Sequence, residues 1–443
     1  MKPNEIHVLG VPKGEPVLEA IKLLRKKSIE DHAATFAAVA ADPSAYLDDE
    51  KLSALANAII KAEEQATFVP REEPAPWQQW GEGLEEQAVD QMRRACDLPV
   101  AVAGALMPDA HLGYGLPIGG VLATEGTVIP YAVGVDIACR MKLTVLDLPS
   151  GWLNDEEKQD RLKSQLSRDT QFGIGACFRG SDRHDHQVMD ADWSVSPITE
   201  QCRDKAWNQL GSSGSGNHFV EFGKLTITES QREFSPLDPG EYLALLSHSG
   251  SRGSGAAVAA HYSKVAMATH ADLPRELSHL AWLDLESADG QEYWAAMSLM
   301  GEYAAANHAC IHRSIAKNLG CEVLVDIENH HNFAWKEKHF GKEVVVHRKG
   351  ATPAGYGVLG IIPGSMASPA FVVRGKGSAA SLNSASHGAG RVMSRTAAKK
   401  QFHWPDEKRK LDEAGIKLLS AGLDEVPGVY KDIHEVMAAQ SDL

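Results

Sequence analysis

Three prolines fall within residues 70–76 (PREEPAP), and they limit what the chain on either side can form. Proline removes a backbone donor and fixes φ, so neither a helix nor a central strand continues through this segment. Before it, the apolar spacing predicts helices over residues 16–40 and 48–65. We therefore predict an N-terminal helical extension over residues 1–75 and one large main domain over residues 76–443.

Beyond residue 76 the predicted strands and helices follow no regular order. The predicted helices cover residues 81–98, 257–270 and 293–318, and Gly320 follows the last of them as a glycine C-cap would. Strands are predicted for the apolar run ending at Met107, for short segments between 113 and 145, and for residues 321–327, 344–346 and 371–374. A doubly wound parallel sheet needs strands and helices to alternate, so the pattern favours an α+β fold of mixed sheets and helices.

Composition excludes several classes of protein. Hydrophobic residues make up 43% of the 443 residues and charged residues only 23%, which predicts a large buried core. The net charge of −15 argues against indiscriminate nucleic-acid binding but allows a local basic groove, and cations do gather between residues 391 and 410. The apolar run at 98–107 is too short to span a bilayer, and no secretory signal opens the chain. Six scattered cysteines without a CxxC pair predict a cytoplasmic protein with reduced thiols.

Five residues have metal-ligand chemistry. Asp136 and Cys139 are two residues apart in a glycine-entered turn (GVDIAC), so a carboxylate and a thiolate can converge on one point. The other three are histidines beside Gly/Ser loops or after a predicted strand, namely His218, His248 and His331. A buried cysteine is more often a small apolar residue, but the set as a whole indicates a divalent-cation site. Zinc, iron and manganese all suit these donors.

Two further histidines share a helix face without carrying this chemistry. His308 and His312 are spaced i, i+4, as in metalloprotease helices. No glutamate follows His308, so the protease motif is absent. We interpret both as packing or surface residues on a long helix.

A glycine-flanked histidine lies further along the chain. His387 stands in the stretch ASHGAGR at 385–391, with Arg391 four residues later. Glycine lets backbone N–H groups approach phosphate oxygens, and imidazole is a nucleophile that forms covalent intermediates. The stretch therefore predicts a phosphate or nucleotide site with His387 as its candidate nucleophile.

With these residues assembled, the chain resembles the RtcB family of GTP-dependent RNA ligases. The matching segments occur in family order: MPDAHLG at 107–113, GVDIAC at 134–139, GSGNHF at 214–219, HSGSRG at 248–253, HN at 331–332, PGSM at 363–366 and SHGAGR at 386–391. The resemblance runs from about residue 81 nearly to the end, which makes residues 76–443 an RtcB-like catalytic domain. In the stretch 363–370, which begins with PGSM, Ala370 stands where many members have serine, so one polar nucleotide contact is expected to be missing.

The resemblance implies a reaction and a set of roles. The family joins an RNA 3′-phosphate or 2′,3′-cyclic phosphate end to a 5′-hydroxyl end, using GTP and two Mn²⁺ ions, in RNA repair or tRNA splicing. By position, Cys139 is the thiolate that bridges the ions and His387 is the histidine that carries GMP. The residues that match nucleotide-holding positions are Asn217, Phe219, Glu221, Asn332, Pro363, Gly364, Ser365, Met366, Gly388, Ala389, Gly390 and Lys431. RNA and an archease-type activator are the implied partners.

Three cations and two other functions complete the hypotheses. We expect Arg252, Lys349 and Arg391 to contact RNA or triphosphate oxygens, although ordinary salt bridges would also account for them. A dinuclear metal phosphoesterase that opens cyclic phosphates would need the metal donors but not His387. A non-catalytic RNA-binding protein would need neither.

Overall fold

The computed structural model describes residues 1–12, 15–24, 29, 31–65, 68–234 and 236–443. By contacts the chain divides into two compact units. The first consists of Met1–Pro70 with Met267–Ser278, and the second of Arg71–Ala266 with His279–Leu443.

The described α-helices and β-strands are labelled in chain order. Helices α1 to α13 are Pro3–Val8, Glu15–Leu24, His32–Ala41, Ser53–Gln65, Glu86–Cys96, Pro130–Val133, Glu156–Asp169, Pro197–Gln209, Arg252–Thr269, Ala288–Leu319, Arg395–Gln401, Trp404–Glu413 and Ile433–Ala438. Strands β1 to β17 are Trp77–Gln79, Ala101–His111, Ile118–Thr124, Thr127–Val128, Arg140–Pro149, Gln171–Phe172, Ser212–Gly214, Phe219–Ile227, Gly240–Ser249, Leu283–Asp284, Val323–His330, Asn332–His339, Lys342–Lys349, Ala351–Pro353, Leu359–Pro363, Ala370–Arg374 and Ser384–Ser386. No described helix combines the length and the apolar character that crossing a membrane requires.

The first unit is built on α1 to α4, which bury one apolar cluster. Ile6, Phe36 and Ile59 are fully buried in it, although they come from three different helices. Helix α3 begins anew because the Asp31 carboxylate accepts hydrogen bonds from the backbone of Ala33 and Ala34, as an N-cap does. The single helix predicted over 16–40 is therefore wrong, and its residues 25–28 and 30 lie outside the described residues.

Two larger sheets organise the second unit. One has five strands in the order β1-β2-β3-β13-β12, and the other has four in the order β11-β5-β9-β8. Apart from the parallel β1–β2 pair, neighbouring strands in both sheets run antiparallel. The predicted α+β class of mixed sheets and helices is confirmed, and the boundary at residue 75 stays a prediction.

The antiparallel register brings distant parts of the chain to one end of each sheet. In the four-stranded sheet, β5 begins where β9 and β11 end, because Arg140 pairs with both Ser249 and His330. Strand β8 begins at the same end, since Phe219 pairs with His248. Only His331 separates β11 from β12, so this end leads directly into the five-stranded sheet.

The 32-residue helix α10 covers one face of the four-stranded sheet. It is longer than predicted and ends at Gly320, whose φ of 69° is the left-handed conformation of a glycine C-cap. His308 and His312 are buried on it, and both bond to the Ser247 hydroxyl, at 2.6 and 2.7 Å. The interpretation of these histidines as packing residues is consistent with their position.

Candidate metal centre and neighbouring nucleophile

Four of the predicted metal donors lie at the sheet end just described. Cys139 immediately precedes β5, His218 immediately precedes β8, and His248 is the second-last residue of β9. His331 occupies the single position between β11 and β12. Strand register, and not sequence spacing, therefore places these side chains together.

Their ligating atoms are within a few ångströms of one another. The Cys139 Sγ atom lies 3.1 Å from His248 Nε2 and 3.5 Å from His218 Nε2. His248 Nε2 is 3.2 Å from His331 Nε2, and His218 Nε2 is 2.8 Å from a carboxylate oxygen of Asp136. The atoms form two triads that could each hold a metal ion, and Cys139 belongs to both. A thiolate shared in this way is suited to bridging two ions.

The surroundings orient the histidines as ligands. The Nδ1–H of His248 donates to the Asn217 carbonyl at 2.8 Å, which leaves the lone pair of Nε2 facing Cys139. Burial, followed by the charge of His218, lowers the pKa of His248 to about 3, so this imidazole is neutral. Burial raises the pKa of the Cys139 thiol well above its ordinary value, and the Asp136 charge adds to this effect. A bound cation would reverse that preference, because a coordinated thiol is deprotonated.

The donor set fits a divalent cation on its own chemistry. Imidazole nitrogens, a carboxylate and a thiol that becomes a thiolate on coordination converge at one place. The Nδ1 atom of His331 is buried without a hydrogen-bond partner in the described structure. These residues therefore have the composition of a metal centre.

His387 lies directly beside this cluster. It follows β17, whose Ser386 pairs with Ala351 of β14, and its ring centroid is 4.9 Å from that of His331. Its Nδ1 atom is 2.7 Å from Oδ2 of Asp109, so Nδ1–H donates and the Nε2 lone pair remains available. The His387 side chain keeps 17% of its surface exposed, whereas Asp109 is completely buried.

Asp109 is a site residue that the sequence interpretation missed. The same Oδ2 atom also accepts hydrogen bonds from the backbone N–H groups of His387 and Gly388, at 3.2 and 3.3 Å. Burial works to raise the pKa of Asp109, but the hydrogen bond and charge of His387 outweigh it, and the pKa lies below its ordinary value. Asp109 is the single charged residue in the otherwise apolar run of residues 101–110, and a lone carboxylate in such a run was the available signal.

Several predicted nucleotide residues surround His387. Lys431 donates to the carbonyls of Pro108 and Ala110, at 2.9 and 2.8 Å, and so fastens the backbone on both sides of Asp109. Gly390 has a φ of 74°, and a Cβ there would lie 2.0 Å from the Asp109 carbonyl oxygen, so only glycine fits.

The loop that follows β15 also reaches the His387 segment. A Cβ on Gly388 would lie 3.3 Å from the Pro363 carbonyl oxygen. Within the loop, Gly364 donates to the Pro369 carbonyl, and the Ser365 and Ser368 hydroxyls bond at 2.7 Å. Met366 is half-buried in the same turn, and Ala389 is buried in one apolar cluster with Ile362 at the end of β15. The structure thus places residues 363–366 and 388–390 side by side.

The remaining predicted nucleotide residues lie near the cluster of metal donors. The Phe219 ring is 5.8 Å from that of His248, and Glu221, two residues further along β8, faces the same side of the sheet. The Asn217 side chain is exposed. Asn332 donates to the Asp136 carbonyl at 3.2 Å and accepts from Gly350 at 2.8 Å, so its amide braces the metal-ligand turn.

The three cations expected to contact phosphates have different surroundings. Arg252 lies 3.3 Å from Nδ1 of His218 and therefore supports a metal donor. Lys349 is buried and donates to the Tyr114 carbonyl at 2.5 Å. Arg391 donates to Glu425 at 3.4 Å and to the Asp424 carbonyl at 2.7 Å, so it is already engaged in the protein.

The fold and site define an α+β protein with a Cys/His/Asp cluster able to hold metal ions beside a positioned histidine. The family model described as tRNA-splicing ligase RtcB matches residues 91–197 and 191–443. The chain belongs to the RtcB family, and the resemblance inferred from its motifs is confirmed.

Relatives from bacteria and archaea agree with this membership. The RNA-splicing ligase RtcB of Escherichia coli K12 is 35% identical over 84% of this chain and 94% of its own length. The tRNA-splicing ligase RtcB of Nanoarchaeum equitans is 31% identical over 81% of this chain and 88% of its own length. The RNA-splicing ligase RtcB of Mycobacterium tuberculosis is 31% identical over 76% of this chain and 92% of its own length.

Proposed function

We propose that this chain is an RNA ligase that joins a 3′-phosphate or 2′,3′-cyclic phosphate end to a 5′-hydroxyl end, with GTP as co-substrate and two Mn²⁺ ions. The observation that carries the proposal is the position of His387, whose ring is hydrogen-bonded to buried Asp109 and lies next to the ring of His331 in the donor cluster. It supplies an oriented nucleophile next to a place for cations, which is what attack on a nucleoside triphosphate needs.

In the first step, Nε2 of His387 attacks the α-phosphorus of GTP. The new N–P bond forms as the bond from phosphorus to the bridging oxygen breaks, and pyrophosphate leaves with the electron pair. Nδ1 keeps its proton, and the Asp109 carboxylate stabilises the positive charge that develops on the ring. Asp136, Cys139 and the three histidines would hold the cations, which would supply charge neutralisation on the phosphates.

GMP then passes from His387 to the RNA 3′-phosphate, and the 5′-hydroxyl displaces it. This order is chemically necessary, because a phosphate monoester alone has no good leaving group. The 387–390 segment and the 363–366 loop adjoin each other at His387, and the nucleotide would be bound there. A cyclic phosphate end must first be hydrolysed to the 3′-phosphate.

A phosphoesterase without ligase activity accounts for less of the site. It would use the donor cluster but would need neither the Asp109–His387 pair nor the two hydrogen bonds of Lys431 to the Pro108 and Ala110 carbonyls, which we call the Lys431 clamp. The ligase names of the relatives also speak for joining. An archease-type activator and a cytoplasmic location belong to the same proposal, the latter in keeping with six free cysteines.

Self-labelling with α-labelled GTP and Mn²⁺ tests the proposal. Wild type should acquire acid-labile label, and His387→Ala should acquire none. His403→Ala is the matched control, because this exposed histidine precedes α12 and should leave labelling unchanged. Label on His387→Ala, or wild-type protein that joins RNA ends without GTP, would sink the mechanism.

A further inference from the structure

An exposed tyrosine lies on the loop that connects β2 with β3. Tyr114 keeps 68% of its surface accessible, and it stands between Gly113 and Gly115. A single exposed aromatic residue is ordinary on a protein surface. Two properties of this one call for a further explanation, namely how firmly its loop is held and what lies next to it.

Hydrogen bonds fasten the loop just before Tyr114 and at Tyr114 itself. Leu112 donates to the Glu85 carboxylate at 2.8 Å, and Gly113 exchanges two hydrogen bonds with the Gln91 amide, at 3.0 and 2.7 Å. The Tyr114 carbonyl accepts from Lys349 at 2.5 Å. Because the backbone is already ordered, a ligand that used this ring would lose little affinity to ordering the loop.

Other rings brace the tyrosine from within the protein. The His279 ring lies edge-on at 5.7 Å from Tyr114, and Tyr131 lies edge-on at 4.6 Å from His279. A half-buried pair thus supports one exposed ring. Such an arrangement, a fixed aromatic surface open to solvent, is what a flat ring needs in order to stack.

The backbone of Tyr114 is joined to the neighbourhood of His387 through Lys349. Lys349 leads into Gly350, and a Cβ on Gly350 would lie 3.1 Å from Cε1 of His387. The residues expected to hold guanine nucleotide, Lys431 and the 363–366 loop, adjoin the His387 segment through Gly390 and Gly388 instead. Tyr114 is therefore connected to His387 through Lys349 and Gly350, and not through the residues expected to hold guanine nucleotide.

A buried lysine holds the backbone of the tyrosine. Lys349 is 5% exposed, and its described hydrogen bond goes to the Tyr114 carbonyl. Its amine therefore fixes the loop from inside the protein and leaves the Tyr114 ring as the group that meets a ligand. A fixed aromatic ring on which a base can stack is a usual element of sites for single-stranded nucleic acid.

We propose that Tyr114, supported by His279, stacks on a nucleobase of the RNA end that is brought to His387. The proposal rests on the RNA ligase function and names the part of the RNA that this surface binds. It assigns the base to the exposed ring of Tyr114. Stacking is tolerant of base identity, so the subsite would hold ends of different sequence.

Equilibrium binding of a fluorescent RNA oligonucleotide with a 3′-phosphate tests the proposal without requiring ligation. Tyr114→Ala should weaken binding by about 5- to 150-fold, the factor that corresponds to about 1–3 kcal/mol per stacked base. Tyr114→Trp should bind at least as well as wild type, because the larger ring preserves stacking. Tyr356→Ala is the matched control: Tyr356 is 91% exposed and precedes β15, at the opposite end of that strand from Pro363.

An abasic nucleotide at the 3′ end separates stacking from other causes. Wild type should bind the abasic oligonucleotide more weakly than the intact one. Tyr114→Ala should bind the two oligonucleotides equally, because the protein change and the missing base remove the same interaction. Additive losses would overturn the proposal, as would a Tyr114→Ala protein that binds RNA normally but GTP weakly. Thermal unfolding of each variant checks that the fold is intact. If wild type acquires no label from GTP, the ligase mechanism fails, while the binding comparison still decides on stacking.

Discussion

Replacing Asp109 by asparagine tests the effect of the negative charge next to the His387 ring. Oδ2 of Asp109 accepts from two backbone N–H groups as well as from the His387 ring. Those two donors require an oxygen at this position, so the amide oxygen of the introduced asparagine should take it. The hydrogen-bond pattern, and with it the ring tautomer, should then survive while the negative charge is lost.

The size of the effect follows from the type of bond. A hydrogen bond to a charged group contributes about 1.5–3 kcal/mol and a neutral one about 0.5–1.5 kcal/mol, so the exchange costs about 1–2 kcal/mol. If that loss falls on the transition state, where the ring becomes positive, self-labelling slows by about 5- to 30-fold. Asp109→Ala would also leave the two backbone N–H groups buried and unpaired, and so should lower the free energy of unfolding as well.

The assay is the single-turnover rate of label incorporation at saturating GTP and Mn²⁺, with GTP affinity measured separately. Asp109→Asn should change the rate and leave GTP affinity close to that of wild type. Two results would refute the reasoning. Labelling at more than about half the wild-type rate would mean that the charge is dispensable. Loss as complete as in His387→Ala would mean that Asp109 does more than orient and stabilise the ring.

Three further predictions concern the cluster, the glycine and the buried lysine. Cys139→Ser should lower the number of Mn²⁺ ions bound per chain, because one donor belongs to both triads; unchanged stoichiometry by equilibrium dialysis would contradict the shared role. Gly390→Ala should destabilise the chain by more than about 2 kcal/mol in urea unfolding, since its Cβ would collide with the Asp109 backbone; a normal midpoint would count against that contact. Burial lowers the pKa of Lys349 to about 7. Between that pH and the ordinary lysine pKa, the unfolded chain therefore binds more protons at this residue than the folded chain does, and stability is lower at neutral pH than at higher pH. Lys349→Met should therefore exceed wild type in stability by a few kcal/mol near pH 7 and by less near pH 10, and a difference that does not shrink with rising pH would refute the assignment.

The sequence motifs predicted the chemistry of the site better than its geometry. Asp136 and Cys139 are close in sequence, so their convergence was foreseeable from a turn. His331 is almost two hundred residues further on, and only the register of β5 against β9 and β11 explains its place. Register depends on long-range pairing, which local spacing does not encode.

One error came from a local signal that was missed. Asp31 is a good N-cap residue, yet the apolar spacing on both sides suggested one continuous helix. The contact of Arg391 with a phosphate stays a prediction, and its guanidinium bonds to Glu425, a residue that no motif connects with it. Long helices with a clear end, such as α10 with Gly320, were the easiest elements to predict.

The Lys431 clamp has a consequence for how the protein folds. Its amine closes onto Pro108 and Ala110, residues more than three hundred positions earlier, and so secures the backbone around Asp109. Closing so long a loop is slow and depends on contacts that form late. During synthesis all five candidate metal donors, of which His331 is the last, are made before the segment that contains His387. A nascent chain thus contains the candidate donors before it contains the proposed nucleophile and the lysine that secures the backbone around Asp109.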